Sequence, residues 1–143
     1  FTVARVFLVY GPGQSNNRVI PFIIENCLKN KKFYLTAGDQ IRDFIYIDDL
    51  IKGIYSIMNS NQTYGKVINL SSGKPISIKN ITEKIKLKIG FGKPIYGKKE
   101  KRKYENMSLY ANININKKYI NWRPKINLEN GLNKTIQYYL KHV

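Results

Sequence analysis

The chain has 143 residues, 25 Lys and Arg against nine Asp and Glu (net charge +16), one Cys and one His. A hydrophobic fraction of 43% is that of a globular chain and argues against wholesale disorder. The single Cys27 cannot close an internal disulfide, one Cys with one His makes no zinc cluster, and no apolar run nears the ~20 residues of a membrane helix. With no signal-peptide pattern either, the expectation is a cytoplasmic protein with no membrane partner.

Phe1 to Val9 is nearly continuous apolar sequence. It predicts a strand buried on both faces, as in the interior of a parallel sheet. A chain that opens on such a strand, without an initiator Met, is expected to be the C-terminal part of a longer protein. The turn Tyr10-Gly11-Pro12-Gly13 leads to a helix from about Arg18 to Asn30, with Ile20, Ile23, Ile24, Cys27 and Leu28 on one face. A short strand over Phe33–Thr36 reaches a turn at Gly38-Asp39, and a strand follows from Ile41 to Ile47. Asp48 is placed to cap a helix running to about Asn59, with Leu50, Ile51, Ile54, Tyr55 and Met58 inward. Tyr64-Gly65 turns into a strand over Val67–Leu70, and Ser77 caps a helix to about Ile89. Lys98 to Arg102 reads as a solvated basic loop. A short helix near Asn114–Ile120 precedes Pro124, which stops it, and Leu128–Leu140 is an amphipathic helix. Strands and helices alternating at these lengths place the fold in the α/β class.

The charge has two readings. A strongly basic chain points to nucleic acid or an acidic surface. Yet lysine supplies 20 of the 25 cations, and Asn and Ile are also abundant, so most of the charge reads as composition bias on solvated surface. Many aromatics fall at apolar-periodic positions, Phe22 and Tyr55 among them, rather than where bases would stack. The five arginines, Arg5, Arg18, Arg42, Arg102 and Arg123, are the informative cations.

Catalytic groups are scarce. His142 lies in the C-terminal tail, where fraying is the rule, so triad chemistry is not expected. Cys27 reads as a small core residue. Asp48 and Asp49 are adjacent on a helix and do not share a face, so they read as structural rather than as a metal or acid–base pair. Gly11-Pro12-Gly13 and Gly90-Phe91-Gly92 lack the third glycine of a dinucleotide loop. No Gly-Lys-Ser/Thr occurs, and no Tyr has a Lys four residues later.

The run Arg5 to Gln14 (RVFLVYGPGQ) resembles the R-x-F-N-x-Y-G-P-G-Q segment of the extended short-chain dehydrogenases, the NAD(P)-dependent nucleotide-sugar epimerases and dehydratases. Val19 to Ile23 resembles their next helix opening. Arg42 to Leu50 (RDFIYIDDL) resembles R-D-F-I-Y-V-D-D-L, and Ile68 to Gly73 resembles N-x-G-S-G. Arg102 to Glu105 is similar to R-x-x-E. Trp122-Arg123-Pro124 and Leu128 to Leu132 are similar to G-W-x-P and L-E-E-G-L. The matches follow family order along nearly the whole chain.

This resemblance implies an α/β fold made of the C-terminal part of a Rossmann-like doubly wound sheet plus the small nucleotide-sugar-binding domain. Residues 1–17 would be the last part of the sheet and its loop, and residues 18–143 mainly the substrate domain. The N-terminal NAD- or NADP-binding half, with the Tyr-x-x-x-Lys pair, would be absent. No catalytic residue, no metal and no cofactor bound by this fragment are therefore expected. Arg42 and Arg102 would meet the diphosphate and Glu105 a ribose hydroxyl. Arg18, Val19, Leu35, Ala37, Phe44 and Ile76 would pack around the nucleotide, with Gln14 a loop contact. Phe7 would lie toward the nicotinamide, and Arg5 would be structural at the sheet edge. Leu8 stands where the family has a substrate-binding Asn, which opens a 4-keto-deoxysugar reductase as an alternative to an epimerase or dehydratase. The resemblance also implies a homodimer of the full-length enzyme and a role in sugar-nucleotide or surface polysaccharide synthesis. Without it, the residues themselves leave bland readings: an Arg42 ion pair with Asp43 or Asp49, Arg102 as a solvated member of the Lys98–Lys103 run, a Glu105 pair with a neighbouring lysine, and Phe7, Val19, Leu35 and Ala37 as ordinary packing or strand residues. A basic nucleic-acid-binding module is the alternative of another class.

Overall fold

The computed structural model describes residues 1–142. Among these, eight short strands and four helices follow one another. The strands are β1 (Val3–Val6), β2 (Leu8–Tyr10), β3 (Lys32–Tyr34), β4 (Ile41–Tyr46), β5 (Val67–Leu70), β6 (Pro75–Ser77), β7 (Lys93–Ile95) and β8 (Ser108–Leu109). The helices are α1 (Val19–Leu28), α2 (Ile47–Met58), α3 (Ile78–Ile89) and α4 (Leu128–Leu140). This is the α/β class expected. The helix endings are also where local chemistry puts them: the Ser77 hydroxyl accepts from Asn80 N at 3.1 Å at the start of α3, and Gly90 closes it in the left-handed region.

β1 pairs in parallel with β5, and β3 in parallel with β7. β4 carries the largest sheet, with β2 and β8 parallel to it and β6 antiparallel. The strand buried on both faces is therefore β4 and not β1. Phe44 and Tyr46 face one apolar cluster with Tyr10, Ile24, Phe33, Ile81 and Leu132, while Ile45 faces a second with Leu50, Ile68, Leu70 and Trp122. Period-2 side-chain alternation divides one strand between two cores. Residues Val3 to Val6 are exposed instead. Apolar composition told of a strand there but not of which neighbours it has, and β5 is its one paired strand among the described residues.

α2 shows the same limit. Of the five residues expected inward, only Leu50 is buried, with Asp49, Gly53 and Ile57 beside it. Ile51 (57% exposed), Ile54, Tyr55 and Met58 (76%) face out. The apolar residues form one stripe, as the periodicity predicts, but the fold buries only the edge of it that carries Leu50 and Ile57, together with the neighbouring Asp49 and Gly53. Buried hydrogen bonds choose it: the Asp49 carboxylate accepts from the backbone N–H groups of Lys125 (2.9 Å) and Ile126 (2.7 Å), and Trp122 Nε1 donates to the Asp49 carbonyl at 3.1 Å. Asp48 is not the N-cap. That position is Tyr46, without a side-chain cap, and Asp48 sits in the first turn where the helix dipole favours it. The Asn114–Ile120 helix is a 3-10 segment over Ile113–Lys118, opened by the Asn112 side chain accepting from Asn114 N.

Helices α1, α3 and α4 pack around the first core. Gly131 in α4 is required there, since a Cβ at that position would overlap the Tyr10 hydroxyl. Cys27 is a core residue as expected, and burial pushes its thiol up to about 11. An unfolded thiol ionises near ~8.5, so the neutral form is favoured in the fold. The stability this contributes is present below that value and is lost as pH rises toward 11.

Two outcomes follow. Cys27 should not react with a thiol reagent at pH ~8 until urea unfolds the chain, as a colorimetric assay would record. The outward apolar residues of β1 and α2 should make the isolated chain self-associate at micromolar concentration. Met58→Lys and Val6→Lys, both at exposed sites, should shift it toward monomer in light scattering with a stability change within ~0.5 kcal/mol. A monodisperse monomer of the unaltered chain would overturn this second outcome.

Candidate functional site

β4 positions the site from both of its faces. Asp43 is fully buried, and its carboxylate gathers four donors. Oδ1 accepts from Ser72 N at 2.8 Å and Ser72 Oγ at 2.6 Å; Oδ2 accepts from Gly73 N at 3.0 Å and, longer, Ala111 N at 3.4 Å. A buried carboxylate needs such a set to offset its desolvation. It draws the loop after β5 and the segment after β8 onto one strand. Arg42, one residue earlier, points the other way. Its Nη2 pairs with the Glu105 carboxylate and its Nη1 donates to the Ile41 carbonyl at 2.8 Å. The ion pairs expected from the residues alone are thus replaced by another: Arg42 does not pair with Asp43 or Asp49, and Glu105 pairs with no lysine, while Arg102 is exposed.

The segment from Lys98 to Leu109 is laid across this face of β4. β8 pairs with Ile41 and Arg42, Ile41 N donates to the Met107 carbonyl at 2.8 Å, and Lys101 Nζ reaches Asp39 at 2.7 Å. Between this segment, β2, the start of α1 and residues 35–44 lies an open cleft of about 940 Å³. Phe7, Leu8, Gln14, Arg18, Val19, Leu35, Arg42, Phe44, Arg102 and Glu105 all line it, so residues up to 98 positions apart in sequence meet at one surface. Ala37 and Ile76 do not. Ala37 is exposed in the turn before Gly38, and Ile76 on β6 packs against the first core, while Ile78 lines the cleft in its place. Gln14 is held by its own chain, its Nε2 donating to the Val9 carbonyl at 2.8 Å.

Sequence reasoning missed Phe22, Thr36, Lys99, Tyr104 and Asn106 as lining residues. Only the proximity of Lys99, Tyr104 and Asn106 to Arg102 and Glu105 signalled them. Phe22 looked like an ordinary helix residue, yet its ring forms a wall with Lys99 Nζ 5.1 Å above it. Tyr55, by contrast, is exposed on the outer face of α2 and not in an apolar interior.

The cleft combines an apolar floor of Phe7, Leu8, Val19, Leu35 and Phe44 with a basic rim. Arg42 and Glu105 neutralise each other, whereas Arg18 and Arg102 have no carboxylate within ion-pair distance among the described residues. Such a surface holds a ligand with a flat apolar part and several negative oxygens. Its carboxylates are Glu105, which is paired with Arg42, and Glu100 on the exposed edge. The Tyr10 hydroxyl is pushed far up, by burial first and then by the nearby Tyr46, Asp49 and Glu129 charges, and stays protonated. Among the described residues no group of three His, Cys, Asp or Glu could hold a metal.

Asp43→Ala should leave four donors unpaired and cost about 3 kcal/mol or more in urea denaturation, with loss of order around Ser72 and Ala111. Asp43→Asn should recover part of this, because its amide oxygen still accepts.

A model of the NAD-dependent epimerase/dehydratase family matches residues 1–71. The UDP-glucuronate 4-epimerase of Thermodesulfobacterium geofontis is 36% identical over 145 residues, covering 96% of this chain and 42% of that protein. A CDP-abequose synthase of Salmonella typhimurium is 30% identical, covering 96% of this chain and 48% of the relative. A UDP-glucose 4-epimerase from Thermotoga maritima, solved with UDP-glucose, superposes with a TM-score of 0.90 at 27% identity, over 99% of this chain and 46% of that one. The chain spans less than half the length of each of these proteins. Sequence likeness to these proteins reaches 96% of the chain and three-dimensional likeness 99%, and residues 1–71 belong to the NAD-dependent epimerase/dehydratase family.

Proposed function

We propose that this chain is the nucleotide-sugar-gripping portion of an NAD(P)-dependent nucleotide-sugar epimerase or dehydratase that serves sugar-nucleotide or surface polysaccharide synthesis. Residues 1–17 belong to the end of its Rossmann sheet and residues 18–143 mainly to its substrate domain. The observation that carries this reading is the cleft, where an apolar floor meets a rim of Arg18, Lys99 and Arg102 with the Arg42–Glu105 pair at its centre. A nucleoside diphosphate has both parts such a surface needs. The base and ribose lie over Leu35, Phe22 and Val19, the diphosphate lies at the arginines, and the sugar extends toward Phe7 and Leu8. Glu105 is placed to exchange part of its pairing with Arg42 for a ribose hydroxyl. The relatives support this assignment, since the Thermotoga maritima enzyme was solved with UDP-glucose.

The residues present do not by themselves fit a dinucleotide. A Cβ at Gly11 would meet Ile47 at 2.6 Å and one at Gly92 would meet Cys27 at 2.6 Å, so these glycines serve close packing and not a phosphate cradle. NAD or NADP and the catalytic base therefore belong to the rest of the parent protein, and this chain contributes only the Phe7 wall. We infer no turnover by these residues alone.

The nature of Leu8 favours a second reading in the same family. It faces the cleft opposite Phe44 in the β2–β4 register, as an apolar side chain where the family has a hydrogen-bonding Asn. Such a wall suits a deoxygenated sugar carbon, and one relative is a CDP-abequose synthase. That favours a 4-keto-deoxysugar reductase.

Calorimetry with UDP-glucose, UDP-glucuronic acid and CDP- and dTDP-deoxysugars should show saturable binding. Arg102→Ala should weaken it about tenfold or more, the worth of one charge-assisted hydrogen bond. Tighter binding of the deoxysugars would favour the reductase. Failure of every nucleotide sugar to bind, together with tight and steeply salt-dependent binding of single-stranded RNA, would overturn the reading in favour of a nucleic-acid module.

A further inference from the structure

β4 and the residue before it form a ruler along the cleft. Of residues 40 to 45, only Gln40, Arg42 and Phe44 line it, because successive side chains of a strand point to opposite faces. Neighbours in this series stand ~7 Å apart along the strand. Phe44 lies opposite Leu8 in the β2–β4 register, and Arg42 is the central cation. Gln40 therefore lies beyond Arg42, at the end away from Leu8, where Leu35, Thr36 and Ile78 line the cleft with it.

Leu35 has both backbone groups engaged. Its N–H donates to the Ile95 carbonyl at 2.9 Å, and its carbonyl accepts from Lys98 N at 3.2 Å and Lys99 N at 3.1 Å. The Gln40 carbonyl accepts from Ile78 N at 3.0 Å, which pins its backbone to the start of α3. Gln40 is only 5% exposed, and its side chain meets the Thr36 hydroxyl alone among the described residues. Nε2 donates to Thr36 Oγ1 at 3.0 Å, and Thr36 Oγ1 lies 3.2 Å from Oε1. A primary amide carries two N–H donors and an oxygen with two lone pairs. One hydroxyl in front of it leaves one N–H and one lone pair unspent. Such groups at the buried floor of a cleft are costly unless a ligand uses them.

A hydroxyl both donates and accepts, so Thr36 satisfies the amide in either orientation, with nitrogen and oxygen exchanged. Turned one way, Gln40 presents an N–H to the cleft; turned the other way, it presents a carbonyl oxygen. We propose that Gln40, steered by Thr36, reads position 4 of a pyrimidine base and so accepts both uracil-type and cytosine-type nucleotides. The proposal rests on the nucleotide-sugar reading above, with the diphosphate at Arg42 and the base over Leu35. Position 4 is the ring position farthest from the sugar, and it meets the residue beyond the phosphate site. Uracil and thymine carry an acceptor oxygen there, to which the N–H donates. Cytosine carries an amino group there, from which the carbonyl accepts. A group fixed as donor or as acceptor would reject one of the two classes.

Calorimetry on the 143-residue chain with three ligands tests this: UDP-glucose, CDP-glucose and the analogue whose pyrimidin-2-one base bears only hydrogen at position 4. UDP-glucose and CDP-glucose should bind within about threefold of each other, and the analogue about tenfold more weakly than either, the worth of one buried hydrogen bond. Gln40→Leu should erase the difference between the analogue and the other two. Gln40→Glu, measured at pH ~8 where the carboxylate only accepts, should turn the preference toward CDP-glucose by about tenfold. A residue that merely holds the turn over residues 36–40 would change all three affinities alike. The ligand series needs no substitution, so it decides the question even if neither variant folds. Equal binding of the analogue, a preference of about tenfold by the unaltered chain for uracil or cytosine, or a Gln40→Glu effect equal on both would overturn the proposal. Binding of none of the three would overturn the nucleotide-sugar reading itself, and this proposal with it.

Discussion

The buried Asp43 carboxylate is the constraint on which the rest hangs. Four donors from two separate loops converge on it at the divide between the two apolar cores. One charge inside a protein is costly unless every lone pair is used, and here the cost enforces geometry: the loops must come to β4. Asp49, in the first turn of α2, acts similarly through one oxygen: its Oδ2 holds Lys125 and Ile126 and turns that helix so that its polar anchor faces inward. Asp43 and Asp49 of the RDFIYIDDL run are thus ties between distant segments.

Strand alternation converts that anchoring into a binding surface. With Asp43 turned inward, Arg42 turns to the cleft and meets Glu105 from the segment paired with β4. The pair leaves the cleft's centre near neutral, while Arg18, Lys99 and Arg102 outweigh the single acid Glu100 and keep its rim positive. Electrostatic selection at the cleft is thus set by the few charges that line it, and the overall charge of +16 says little about it. Several of the remaining lysines are taken up in ion pairs with Glu83, Glu129, Asp39 and Asp48 on exposed surface, where each contributes little.

The apolar face left by β1 and the outer side of α2 belongs to the same account. β1 has one paired neighbour among the described residues, and α2 leaves a row of Ile51, Ile54, Tyr55 and Met58 exposed, so both present apolar surface to solvent. The chain matches less than half the length of its relatives, which agrees with surfaces of this kind. The cleft framed by β4 and its cross-laid segment shares no side chain with that face.

Much was legible in the residues themselves. The bounds of α1, α3 and α4, the α/β alternation, the core role of Cys27 and the capping by Ser77 rest on interactions within a few residues, which local sequence encodes. The family motifs also marked ten residues that the fold brings to one cleft. Other features waited on the tertiary structure because their causes are distant. Which strand is buried on both faces depends on pairing partners, so β4 and not β1 holds that place. Which side of α2 faces in depends on Asp49 meeting Lys125 and Ile126, 76 and 77 residues away. The partner of Arg42 lies 63 residues on, and neither spacing nor composition points to it. Sequence determined the elements and the chemistry available to them; long-range hydrogen bonds from buried carboxylates decided which faces, and therefore which charges, meet a ligand.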